Sequence, residues 1–125
     1  MTNATPASAV DLYIQGVAQG DADVIGAAFH ADARMFGALG DQRVDMPISD
    51  MINMVTAQPA DVDGTFKATV RSIEEHGDIA TAIVDEENFW GSMSFTDIFS
   101  LAHIDGSWVI VNKVFTHTGG TPPTP

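Results

Sequence analysis

The chain holds 125 residues, 45% of them hydrophobic, with 17 acidic against 5 basic residues, a formal charge of −12 and no cysteine. Its length is that of one domain, whose core buries roughly two-thirds of the unfolded surface. The negative field repels phosphate backbones and anionic lipid, which argues against nucleic acid and membrane surfaces as partners, and the missing thiols exclude disulfides, thiolate nucleophiles and zinc–thiolate sites.

The first third is patterned for helices. Thr5 before Pro6 is an N-cap followed by proline at the first helical position. Val10, Tyr13, Ile14 and Val17 then form one apolar stripe at helical spacing. Gly20 stops this helix and Asp21 caps a second, short one built on Val24, Ile25, Ala28 and Phe29, with His30 at its end, where an imidazolium suits the helix dipole. The stretch "ARMFGALGDQRVDM" is too short and glycine-broken for a helix and reads as two small strands around Gly40-Asp41. Pro47 and Ser49 begin a third helix with Ile48, Met51, Ile52 and Val55 as its buried stripe, ended by Pro59.

From Phe66 onward the pattern is that of strands. The turn signals Gly77-Asp78, Gly91-Ser92 and Asp105-Gly106 separate four long antiparallel strands at roughly 66–76, 79–89, 93–104 and 107–117. Helices first and a meander later give an α+β fold with the helices on one face of the sheet. The domain is expected over 1–118, with "TGGTPPTP" making 119–125 a flexible tail. No apolar run approaches the roughly 20 residues of a membrane span. The opening "MTNATPASAV" has neither the basic start nor the apolar stretch of a signal peptide, so a cytoplasmic location is expected.

Two-residue turns at both later hairpins would set Asp97 opposite Val114 and near Glu86. Phe99 would then face Asn112 and Val84, Leu101 would face Ile110 and Ala82, and His103 would face Trp108 and Ala80. Trp108, Ile110, Leu101 and Phe99 make this the helix-covered interior. The opposite face, with Ile83, Ile98, Ala102, Val109, Val111 and Phe115, is too apolar for water and is expected to pair with a second copy as a homodimer. A bulge would exchange the faces beyond it. In strand 66–76 either Phe66, Ala68 and Val70 or Thr69, Arg71 and Ile73 face in.

At this point two stretches carry a resemblance. "YIQGVAQGDADVIGAAFHADARMFG" resembles the N-terminal signature of the nuclear transport factor two-like superfamily, which includes SnoaL-like cyclases and steroid delta-isomerases. "FTDIFSLAHIDGSWVIVNKVFTH" resembles the end of its lumazine-binding branch. The resemblance implies a cystatin-like cone, a curved sheet wrapped around helices with a pocket at the wide end, and dimers through the sheet's outer face. Carried over from the isomerases, Tyr13 falls on the oxyanion-binding tyrosine and Asp97 on a second donor, a protonated aspartic acid. Their general base falls on Gly37, so proton abstraction beside a carbonyl has no agent and the isomerase activity is rejected while the pocket is kept.

The candidate catalytic pair is therefore Asp97 and Tyr13, with Phe36, Glu86, Trp90, Phe99 and Asn112 as ligand-binding residues. The bland alternatives are a core tyrosine, a structural acceptor at Asp97, a solvated strand end at Glu86 and a subunit contact at Trp90. Met46, Met51 and Met54 read as core filler. The histidines lack ligand spacing, so no metal is expected. "GALGD" is no phosphate loop, and no cofactor is expected. Two function classes stand: a binding module for a small apolar, aromatic or polyketide-like molecule, and an isomerase, dehydratase or cyclase type of enzyme using Asp97 and Tyr13. A purely structural dimerisation domain is the third.

Overall fold

A computed structural model of the chain describes residues 2–121. Local signals set the helices. In α1, Pro6–Gln19, the Thr5 hydroxyl accepts from the Ser8 N–H and the Ser8 hydroxyl accepts from the Thr5 N–H, a reciprocal cap. Gly20 closes α1 in the left-handed region at φ 69°, a conformation that favours glycine. The Asp21 carboxylate caps α2, Ala22–Ala28, by accepting from the Asp23 and Val24 N–H groups.

The chain passes without a loop from α2 into β1, Phe29–Leu39. His30 is therefore a strand residue and not a helix cap; its Nδ1 accepts from the Asp32 N–H at 3.0 Å. β2, Gln42–Pro47, folds back on β1 and leads into α3, Ile48–Ala57. The meander follows as β3, Lys67–His76; β4, Ile79–Phe89; β5, Met93–Ile104; and β6, Ser107–Gly119. The six strands run in the order β2-β1-β6-β5-β4-β3, antiparallel except where β1 lies parallel to β6. The result is an α+β fold, an open curved sheet with three helices against its inner face.

Asn3 fastens the start of the chain. Its side-chain amide donates to the carbonyls of Ala27 and Trp108, both at 2.9 Å, and its own carbonyl accepts from the Trp108 N–H. Val10, Tyr13 and Val17 of α1, Ile25 of α2 and Ile48, Met51 and Val55 of α3 are buried against Val84, Phe99, Leu101, Trp108 and Ile110 of the sheet. The interior face is thus the one expected.

The registers differ from simple two-residue hairpins at several places. Between β5 and β6 the turn at Asp105-Gly106 has φ of 50° and 80°, as a two-residue primed turn requires, and sets Leu101 opposite Ile110. One extra residue then enters β6 at Val111, so Ser100 faces Asn112, Phe99 faces Lys113 and Asp97 faces Phe115. Beyond the bulge the faces exchange: Lys113 and Phe115 are buried and Val114 is exposed. Phe115 is therefore not on the outer face, and Asn112 is not on the inner one.

Between β4 and β5 the connection runs longer than two residues, closing on the pair Phe89 and Met93, and a further register shift between Glu86 and Phe89 sets Phe99 opposite Ala82. In β3 an extra residue at Arg71 breaks the alternation, so Ala68 shares the side of Glu86 while Ile73 shares that of Ala82. Neither alternation expected for strand 66–76 holds along its whole length. At the other end β6 continues to Gly119, which pairs with Ser94, and the Thr121 carbonyl accepts from the Ser92 hydroxyl at 2.6 Å. The tail expected at 119–125 is thus bonded at its start; residues 122–125 lie outside the described residues. Among the described residues no helix is long and apolar enough to cross a membrane.

Candidate functional site

The bulge in β6 creates the site. It turns Lys113 into the space between sheet and helices, opposite carboxyl groups that β4 and β5 already point inward. Three of the four buried polar or charged side chains of the described residues are Glu86, Asp97 and Lys113, exposed by 1%, 0% and 5%. Long charged side chains are almost never this buried unless paired.

They meet around one phenol. The Tyr13 hydroxyl lies 3.0 Å from Glu86 Oε2 and 3.3 Å from Asp97 Oδ2, and accepts from Lys113 Nζ at 2.9 Å. Lys113 Nζ lies 4.0 Å from Asp97 Oδ2 and 3.8 Å from Met51 Sδ. Helix α1 holds the ring, which packs edge-on to Phe29 and Phe99. Burial first, and then the charge of Asp97, push the Glu86 carboxyl well above the usual carboxylate range; the ammonium of Lys113 opposes this without reversing it. Burial and the two carboxyls likewise raise the Tyr13 phenol, which stays protonated. With Glu86 neutral, one ammonium balances one carboxylate, the arrangement that a low-dielectric site tolerates. Two buried oxygens, Glu86 Oε1 and Asp97 Oδ1, have no hydrogen-bond partner in the protein.

Glu86, Asp97 and Lys113 form the inner end of a slot of about 70 Å³, room for a few water molecules. The rest of its wall is apolar. Met35 and Leu39 come from β1, Val44 and Met46 from β2, Met51, Met54 and Val55 from α3, and Phe89, Met93, Phe95 and Phe115 from β4 to β6. Five of the chain's six methionines stand in this wall, a soft lining that adapts to ligand shape. At the mouth Trp90 sits in the left-handed region, φ 54°, with its indole N–H donating to the Gln58 carbonyl at 2.6 Å and its backbone N–H to that of Ala60 at 2.9 Å. This ties the β4–β5 tip to the segment after α3.

Of the residues singled out from the sequence, Asp97, Glu86 and Trp90 line the slot. Tyr13 stands behind the charged groups and holds them, and Phe99 lies beneath its ring, 4.9 Å between centroids. Phe36 pairs with the exposed Val114 and Asn112 with the exposed Ser100, so both sit on the other side of the sheet. Lys113 was not singled out, Phe115 was expected on the outer face, and Met46, Met51 and Met54, expected as core filler, stand in the wall of the slot. A lysine between apolar residues in "IVNKVF" is the one signal the sequence offered for the first. Gly37, onto which the resemblance carries the isomerases' base, is closed off: a Cβ there would stand 2.6 Å from two carbons of the Phe115 ring. Among the described residues no group of three His, Cys, Asp or Glu side chains is placed to hold a metal ion.

Known proteins share this fold. Residues 3–116 match the model of a protein family described as "Putative lumazine-binding". An NTF2-like protein of unknown function from Methylobacillus flagellatus is 32% identical, with a TM-score of 0.82 over 91% of this chain and 90% of that one. An NTF2-like protein of unknown function from Shewanella baltica is 24% identical, with a TM-score of 0.81 over 92% of both chains. A ketosteroid isomerase-like protein from Erwinia carotovora shares the fold at 13% identity, TM-score 0.69, over 90% of this chain and 93% of that one. No curated protein matches the chain.

Proposed function

Starting from a chain that belongs to the putative lumazine-binding family of NTF2-like proteins, we propose that it binds a small, flat, largely apolar molecule carrying one polar group. The observation that carries this reading is the pair of unpartnered carboxyl oxygens, Glu86 Oε1 and Asp97 Oδ1, at the closed end of an otherwise apolar slot. Buried polar oxygens without partners are costly, and a ligand whose carbonyl or hydroxyl pairs with the Glu86 acid and the Asp97 carboxyl removes the cost. The aromatic and methionine wall takes the apolar body. A cavity of about 70 Å³ favours a small ligand over a bulky polycycle.

The test is calorimetric titration with a panel of flat aromatic compounds, lumazine, naphthols and aromatic lactams among them, against the wild type and an Asp97→Asn variant. Binding by wild type and a loss of about tenfold or more in the variant is expected, since each lost charge-assisted hydrogen bond is worth roughly 1.5–3 kcal/mol. Equal affinity for both proteins would move the ligand elsewhere, and no binding by any compound would overturn the reading.

The acid–base enzyme using Asp97 and Tyr13 is the alternative, favoured by a carboxylic acid and a carboxylate sharing one phenol. An isomerase would need a second base, and Gly37 supplies none. The outer sheet face is taken as a homodimer contact. Ile98 and Val114 there are exposed by 47% and 46%, and the half-buried Ile83, Val109 and Val111 share that side.

A further inference from the structure

We propose that Lys113 is an amine nucleophile that captures aldehydes or ketones of flat aromatic molecules as an imine at the inner end of the slot. The proposal rests on the binding reading above and adds the substrate's reactive group.

Three observations point there. Lys113 is the only one of the chain's five basic residues that is buried, and it lines the cavity. Its coordination is not that of a structural ion pair. An ammonium has three N–H donors, and a paired one normally meets a carboxylate at about 2.7–2.9 Å. Here the short contact is to the Tyr13 oxygen at 2.9 Å, while the Asp97 oxygen is at 4.0 Å and the next neighbour is the Met51 sulfur. Finally, the hydrogen bonds make a relay. Lys113 donates to the Tyr13 oxygen, and the Tyr13 hydroxyl in turn faces Glu86 Oε2 and Asp97 Oδ2.

The relay gives each proton of imine formation a place to go. A proton leaves Lys113 for the Tyr13 oxygen as the Tyr13 proton moves to the carboxylate of the pair, so the phenol ends as it began. The freed nitrogen lone pair forms a C–N bond to the carbonyl carbon, and the C=O π pair moves onto oxygen, which takes a proton from the Glu86 carboxyl. The nitrogen of this carbinolamine returns a proton to the carboxylate, and the hydroxyl departs as water on accepting one from the acid. Amine and carbonyl compound give imine and water, with no oxidation. The apolar wall of Met51, Phe95 and Phe115 holds little water and so favours the dehydrated product.

The experiment incubates the protein with 2-naphthaldehyde and sodium cyanoborohydride near neutral pH and reads intact mass and peptide maps. The chain has two lysines, Lys113 and the exposed Lys67, so the site of reduction is read directly. One stoichiometric adduct on Lys113 is expected, absent in Lys113→Met and unchanged in Lys67→Arg. Tyr13→Phe keeps the amine but breaks the relay, and should label at least about tenfold more slowly, the low end of what a positioned acid–base group contributes. Should Lys113→Met fail to fold, the Tyr13→Phe rate and the wild-type map still decide. Labelling confined to Lys67 or the N-terminus overturns the proposal. So does no adduct while 2-naphthol, which has no carbonyl, binds the slot by calorimetry; that result leaves the binding reading intact. Failure of both compounds to bind sinks both.

Discussion

The Phe115 ring lies against the backbone of Gly37, so close that a Cβ at Gly37 would meet its Cδ1 and Cε1 at 2.6 Å and its carbonyl oxygen at 2.5 Å. This contact between β1 and β6 fixes one wall of the slot. A side chain at Gly37 and the ring of Phe115 exclude each other. Gly37→Ala should therefore destabilise the fold by about 1–3 kcal/mol, the cost of overpacking a filled site, and Gly37→Ala with Phe115→Ala should cost less than the sum of the two single losses, since removing the ring relieves part of the clash. Urea unfolding of the single and double variants measures this. Additive losses would mean the two residues do not compete for space.

Trp108 is the second point of leverage. It is buried on the inner face beside Leu101 and Ile110, and its backbone N–H and C=O both bond Asn3. Trp108→Ala should cost roughly 3–5 kcal/mol, the range for truncating a large buried aromatic. A cost under about 1 kcal/mol in denaturant would contradict the packing described.

How much of this was legible in the sequence follows from how local each signal is. Thr5-Pro6 and Gly20-Asp21 act within one turn of chain, so α1 and α2 were placed from residues alone. Asp105-Gly106 likewise fixed the β5–β6 pairing as far as Leu101 and Ile110. The bulge at Val111 is set by packing on both sides of β6, and no glycine or proline marks it. Everything beyond it changed face: Lys113 and Phe115 went in, Asn112 and Val114 went out. Tyr13, Glu86 and Asp97 are readable from the sequence, but Lys113, which bonds Tyr13, lies past the bulge. The site was half visible because the other half depended on a register that only tertiary contacts set.

The outer face supplies a separate test. Ile98 and Val114 are exposed there, so Ile98→Lys should leave folding within about 0.5 kcal/mol, as exposed substitutions do, while abolishing a dimer by burying charge in its contact. Light scattering at micromolar concentration reads the mass. A wild type that is monomeric under those conditions removes the dimer. Phe115→Lys should instead damage the fold itself, because Phe115 is buried.

Glu86 links the site to pH. Its carboxyl is held above the ordinary value of 4.5 by burial and then by Asp97, so the folded chain binds this proton more tightly than the unfolded chain does. Stability from this group is fully present below the unfolded value and is lost as pH rises toward the folded one. Glu86→Gln mimics the protonated form and has no such loss. The difference in unfolding free energy, wild type minus Glu86→Gln, should therefore fall as pH rises from about 4.5 through the neutral range. Taking the difference cancels Asp63 and Asp85, whose pKa values are lowered by Thr65 and by Arg71 and which act in the opposite sense in both proteins. Carbon-detected NMR titration reads the same event at the carboxyl, as a property of the coupled Glu86–Asp97 pair. A Glu86 carboxyl that titrates at or below its ordinary value, with no pH slope between the two proteins, would mean that both acids are ionised beside Lys113. The slot would then end in a net negative charge and would select cations, not neutral carbonyl compounds.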